Sequence, residues 1–250
     1  MDSVTVRKRR PAAKYLELRV ATEVGLFLAS TPLLRLAPKG NRRVLILPGF
    51  IATDNSTIPL RALLRRLGHV PTGWGRGRNI GPVPGTVDDL AKLLEREADK
   101  AGERIPIVGW SLGGIYARVM AQEHPDLVDQ VITLGSPFNI HPQEYTSVNF
   151  IWDILDDRHG FERDRESLDV DTIPVPSTAV YTRSDGVVAW QGCLQSECPV
   201  SENIEVYGSH CGLGTNVAVA YLIADRLRNR HDSWSPFRAP RSLRALFPDR

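Results

Sequence analysis

A chain of 250 residues with 42% hydrophobic and 24% charged side chains can bury one large α/β core, which excludes intrinsic disorder and a disulfide-stapled miniature scaffold. A formal net charge of +2 gives no reason to expect a nucleic-acid partner, and three cysteines, an odd count, do not make a secreted disulfide framework. The basic residues are uneven, with Arg7 to Arg10 near the start and Arg226 to Arg250 near the end, and read as solvated tails or as a means of attraction to anionic lipid.

Residues 1–40 form a helical first unit. Lys14 to Leu36 sets Leu16, Val20, Val24, Phe27 and Leu28 at helical spacing, so one or two helices should end before Pro38. The uncharged stretch Val24 to Leu34 is far short of the ~20 residues a membrane span needs. Glu17, Arg19 and Glu23 interrupt what would otherwise resemble a signal segment, and an unprocessed, cytoplasmic N-terminus is expected. The helix either packs on the body of the domain or lies at a lipid surface.

The main domain, residues 41–230, opens with the strand Arg43 to Leu47 and the turn Pro48-Gly49-Phe50, whose Phe50 N–H can be presented to a reacting oxygen. Thr53 to Thr57 offers capping groups for a helix running to about Leu67, and His69 to Gly73 reads as the next strand. The loop from Trp74 to Gly81 is glycine-rich. Its Arg76 and Arg78 either clamp an anion or serve ordered loop packing. Thr86 to Ala101 is an amphipathic helix with Gly102 as its stop.

The β-branched run Ile105, Ile107, Val108 reads as a buried strand, and the residues after Gly114 read as a helix. Between them lies Gly109-Trp110-Ser111-Leu112-Gly113. A strand that reverses into a helix this abruptly strains its apex and crowds the two flanking positions, which glycine relieves. The apex serine is lifted clear of the sheet, and the helix behind it aims unpaired N–H groups at the same point. A phosphate-binding loop fits less well, because no lysine follows and G-x-G-x-x-G is absent.

After His124-Pro125 comes the strand Val128 to Leu134. The segment 138–172 carries aromatics such as Tyr145, Phe150 and Trp152 without a core pattern, and is either a cap over a pocket or an irregular surface insertion. Val175 to Tyr181 resumes the sheet, and Thr182 to Val188 is a loop. Cys193 and Cys198 follow, free or joined. A zinc site drawn from these with His210 or Cys211 matches no usual ligand spacing. A strand at Asn203 to Val206, the loop Tyr207 to Leu213 and a helix from Thr215 to Arg228 complete the domain. Residues 231–250 read as a tail with little periodicity.

A serine hydroxyl needs a neighbour to remove its proton, and that imidazole needs a carboxylate to fix its tautomer. Of the six histidines, His210 alone sits in a glycine-flanked loop after a late strand. Asp185 follows a strand in the same way, with Asp157 or Asp171 as the alternatives. The order Ser111, Asp185, His210 is that of one particular scaffold.

P-G-F at 48–50, G-W-S-L-G-G at 109–114, S-D-G-V-V at 184–188 and G-S-H at 208–210 together resemble the α/β-hydrolase superfamily, and within it bacterial serine esterases and lipases. The resemblance spans about Arg43 to Arg228. It implies a mostly parallel eight-stranded sheet flanked by helices, a small cap, acyl-enzyme chemistry and no cofactor. It also implies an oxyanion hole from the Phe50 and Leu112 N–H groups. Pro48 and Trp110 stand where many lipases carry histidine, which bears on the shape of the acyl pocket. The expected activity is cleavage of carboxylic esters with hydrophobic acyl groups. Acyl transfer by the same residues and a slow-turnover binding protein are the alternatives. The expected partners are a small-molecule ester or lipid, no nucleic acid, and peripheral membrane contact through the N-terminal helix.

Overall fold

A computed structural model describes residues 15, 17–30, 32–139 and 172–248. Its centre is a six-stranded sheet in the order β2-β1-β3-β4-β5-β6, with every neighbouring pair parallel. The strands are β1 (Arg43–Leu47), β2 (Val70–Gly73), β3 (Ile105–Trp110), β4 (Val128–Leu134), β5 (Ser177–Tyr181) and β6 (Ser201–Glu205). A parallel sheet must be covered on both faces, which explains the unbroken apolar runs in the central strands. Along β1 the side chains alternate between two cores: Val44 and Ile46 enter one, Leu45 and Leu47 the other.

The helices divide accordingly. Leu60, Leu63 and Leu64 of α2 (Ile58–Arg66) join the first core, together with Phe27 of α1 (Val20–Ala29) and most of α5 (Val217–Arg228). Leu90, Leu93 and Leu94 of α3 (Thr86–Ala101) and the buried face of α4 (Leu112–Glu123) fill the second. The boundaries of α3 and β4 coincide with those read from the sequence. Gly102, at φ 66°, takes the left-handed position that closes α3.

Among the described residues the sheet has six strands rather than eight. The chain ahead of β1 is helical, as its spacing indicated: α1 followed by a 3-10 turn at Leu33–Leu36. Residues 140–171, most of the expected cap, lie outside the described part. Among the described residues no helix is long and apolar enough to cross a membrane. The three cysteines are free: Cys193 is buried, Cys198 and Cys211 exposed.

The segment read as a tail is part of the core. Phe237 and Phe247 are buried in the first core with ring centroids 4.9 Å apart, and Leu243 is buried beside them. The Phe237 N–H donates to Glu202 Oε2 at 2.8 Å, and Glu202 also pairs with Arg226 at 3.0 Å. Arg42 pairs with Asp129 at 3.1 Å. Glu202 and Asp129 sit near the N-terminal ends of β6 and β4, so the ion pairs secure one edge of the sheet and leave the other for loops.

Candidate active site

All the loops singled out from the sequence leave the opposite, C-terminal edge. Pro48 to Ala52 follows β1, Ser111 follows β3, Asp185 follows β5 and His210 follows β6. Between β1 and β3 the winding of the chain changes direction, because β2 lies on one side of β1 and β3 on the other. Such a switch point opens a crevice at the carboxyl ends of the strands.

Ser111 sits there with φ 52° and ψ −121° and precedes α4 as its N-cap. It is one of two non-glycine residues with positive φ among those described, a conformation that costs free energy unless the surroundings impose it. They do. A side chain at Gly109 would run into the backbone of Gly113 and Gly114, and one at Gly113 into the Leu47 carbonyl. The Ser111 side chain makes no capping bond to the helix. The next residue, Leu112, begins α4 and has no helical carbonyl four residues back to accept its N–H.

Behind the pocket, His210 Nδ1 and Asp185 Oδ2 are 2.6 Å apart and both residues are buried. The other carboxylate oxygen, Oδ1, accepts the N–H groups of Val187 at 2.8 Å and Val188 at 2.7 Å. With Asp185 ionised, His210 must donate from Nδ1, which leaves Nε2 as the acceptor. The remaining described histidines have other roles. His69 is buried, accepts the Arg42 N–H at 3.3 Å on Nδ1, and is held below its usual pKa by burial and then by the Arg42 charge. His124 caps α4, and His231 faces Asp232 at 3.0 Å. His141 and His159 lie outside the described residues, as do the alternative acids Asp157 and Asp171.

Phe50, Trp110, Ser111, Val187, Val188 and His210 are among the walls of one cavity of about 330 Å³. That is the low end of the range for small-molecule sites, about 300–1,000 Å³. The lining is mainly apolar apart from the serine and the imidazole. Asp185 lies behind His210 rather than in the wall, and Leu112 follows the wall residue Ser111.

Three features had no strong signature in the sequence. Asn79, 0% exposed, braces the turn after β1: its amide donates to the Pro48 carbonyl at 2.9 Å, its backbone N–H to Ala52 O at 2.8 Å, and its carbonyl accepts the Ile51 N–H at 2.6 Å. Ile51, at φ 63°, is the second strained residue and is held by that brace. The only hint was an asparagine among glycines, a usual turn-binding side chain. Trp110 donates its indole N–H to the His210 carbonyl at 3.1 Å, linking the strand that leads to Ser111 with the loop of His210. Glu17, Arg19 and Glu23 reach the loops of Asp185 and His210 from the N-terminal segment. Arg76, by contrast, pairs with Asp89 on α3, in keeping with loop packing.

Comparison with known proteins agrees with this fold. The family model described as the alpha/beta hydrolase fold matches residues 44–153. Over 64 residues the chain is 38% identical to the pimeloyl-(acyl-carrier protein) methyl ester esterase of Pectobacterium atrosepticum, covering 26% of this chain and 23% of that one. Over 63 residues it is 35% identical to the homoserine O-acetyltransferase of Deinococcus radiodurans, covering 25% and 19%. The chain thus spans less than a quarter of the length of these curated relatives. Among solved structures, lipase B of Aspergillus fumigatus superposes with a TM-score of 0.61 at 16% identity, over 77% of this chain and 54% of that one. An alpha/beta superfamily hydrolase of Oenococcus oeni gives 0.54 at 17% identity, over 78% and 96%. At such identities the likeness is one of fold.

Proposed function

On a chain with the fold of the α/β-hydrolase superfamily, we propose a serine hydrolase that cleaves carboxylic esters of hydrophobic acyl groups through an acyl-enzyme. The observation that carries this reading is the 2.6 Å contact of His210 Nδ1 with a carboxylate whose second oxygen is already committed, beside a cavity shared by His210 and Ser111. In this mechanism Ser111 Oγ attacks the ester carbonyl as His210 Nε2 takes its proton. The tetrahedral oxyanion is held by the N–H groups of Phe50 and Leu112. His210 returns the proton to the departing alkoxide, and water repeats the sequence on the acyl-enzyme. Removing one oxyanion donor in such sites costs about 2.7–4 kcal/mol, or roughly 10²–10³-fold in kcat, so the placement of the Phe50 turn matters alongside the triad.

The apolar walls Phe50, Ile51, Ala52, Val187 and Val188 favour an acyl chain over a charged substrate. Leu18, Leu26 and Leu28 remain exposed on the N-terminal segment and support a lipid-facing role for it. The lipase fold of Aspergillus fumigatus and the local match to a methyl ester esterase lend the same class support. The match to an O-acetyltransferase favours acyl transfer to an alcohol as a second reading, and product analysis with a competing alcohol separates the two.

The direct test is mass spectrometry after a fluorophosphonate probe, with p-nitrophenyl esters of graded chain length as substrates. Labelling at Ser111 and turnover that rises from acetate to longer acyl groups are expected. Labelling elsewhere would remove Ser111 from the mechanism.

A second expectation concerns the brace on the oxyanion turn. Asn79→Ala leaves the buried Pro48 carbonyl without its donor, which costs about 1–3 kcal/mol of stability. Because the turn that carries Phe50 then loses its side-chain tie at Pro48, kcat should fall by about tenfold with KM little changed. Urea unfolding and steady-state kinetics on one preparation check both; lowered stability with unchanged kcat would make Asn79 a scaffold residue only.

A further inference from the structure

We propose that residues 17–23 form a positioning strap that sets the acid and base loops against each other, with Glu17 as its principal residue; the inference rests on the serine-hydrolase reading. The loops after β5 and β6 are joined directly by the His210–Asp185 contact and by the hydroxyls of Thr182 and Ser184, which both donate to the Gly208 carbonyl, at 2.9 and 2.7 Å. The strap adds ties from a third segment. Glu17 Oε1 accepts the Gly186 N–H at 2.7 Å and the His210 N–H at 3.1 Å, so a single oxygen bridges the neighbour of the acid and the base itself. Its Oε2 accepts the Cys211 N–H at 2.8 Å.

Arg19 repeats the arrangement, and Glu23 holds the base loop alone. Arg19 Nη2 donates to Ser184 Oγ and to the Gly208 carbonyl, each at 3.2 Å, again one partner from each loop. Glu23 accepts the Ser209 N–H at 2.8 Å on Oε1 and the Ser209 hydroxyl on Oε2. A side chain on Gly212 would collide with the Glu23 carboxylate, so the base loop is shaped to admit the strap. Burial pushes the Glu17 carboxyl up, but the Cys211, Gly186 and His210 N–H groups hold it net below the usual carboxylate range, and it stays an acceptor at working pH.

The contacts fall on the backbone of His210 and of the residue next to Asp185, which fixes where the two ends of the 2.6 Å pair stand. A displacement of about 1 Å in a reacting group costs roughly 10²-fold in rate. A strap that only stabilised the fold would alter melting and leave the chemical step intact. A strap that positions the pair would alter kcat.

The test compares wild type with Glu17→Ala, Glu17→Gln and Arg19→Ala in the full chain. Glu17→Ala should lower kcat by about 30- to 100-fold, KM by no more than about threefold either way, and the second-order rate of fluorophosphonate labelling in parallel with kcat. Glu17→Gln keeps an oxygen for Gly186 and His210 and should recover to within about fivefold of wild type. Should Glu17→Ala fail to fold, Arg19→Ala, at an exposed position, carries the question with an expected loss in kcat of about fivefold.

Cys211 gives a second readout. Partial desolvation and then the Glu17 carboxylate push its thiol up to about 12, so iodoacetamide should react with it slowly at pH 8 in the wild type and faster in Glu17→Gln. A Glu17→Ala kcat within twofold of wild type, or a loss confined to KM with unchanged labelling, overturns the strap alone. A wild-type chain that the probe does not label sinks the hydrolase reading and the strap with it.

Discussion

Replacing Ser111 with alanine is expected to lower kcat on a p-nitrophenyl ester by about 10⁵-fold or more while the fold stays intact. The size follows from losing the only proposed nucleophile, so whatever remains comes from oxyanion stabilisation and binding. The intact fold follows from the local structure. The Ser111 hydroxyl makes no capping bond, its residue is 7% exposed, and the strained backbone is imposed by packing around Gly109 and Gly113. Thermal unfolding should therefore shift little. Turnover kept within about tenfold would mean another side chain attacks.

Asp185→Asn should be almost as damaging, about 10⁴-fold in kcat, and the surrounding bonds dictate why. Two backbone N–H groups, from Val187 and Val188, point at the position of Oδ1. An amide there must turn its oxygen toward them, which aims its NH₂ at His210 Nδ1. The imidazole would then carry its proton on Nε2, where it cannot take one from serine. Little change in KM is expected, because Asp185 does not line the cavity. Activity within about tenfold of wild type would show that a different carboxylate orients the ring.

The legible parts of the chain were those whose physics is local. Strand β4 and helix α3 could be bounded from apolar runs, period and a terminal glycine, because each is decided by neighbours a few residues away. The sharp turn at Ser111 was legible for the same reason. The pairing of Asp185 with His210 was read from loop position and order, since both follow strands that end on one edge.

What escaped depends on contacts between distant segments. Glu17 reaches His210 across 193 residues, and nothing in its own surroundings announces an acceptor for three loop N–H groups. Phe237, Leu243 and Phe247 are buried although the sequence shows no helical or strand period there, because irregular chain and a short 3-10 helix can cover a core one side chain at a time. Asn79 looked like one more loop residue until its partners in the turn after β1 were known. The strand count of eight came from the family resemblance, while the residues themselves read as helix ahead of β1 and as six strands after it, as the described chain has them.

The placement of these groups on separate strands has a consequence for synthesis. Ser111 leaves the ribosome about 100 residues ahead of His210, an interval of roughly 5–20 s at ordinary elongation rates. For most of that time β5 and β6 are missing, so the nascent chain displays a hydroxyl with no proton relay behind it. On the proposed mechanism such a polypeptide is chemically silent toward the esters around it, and reactivity begins only when the last two strands have docked on the sheet.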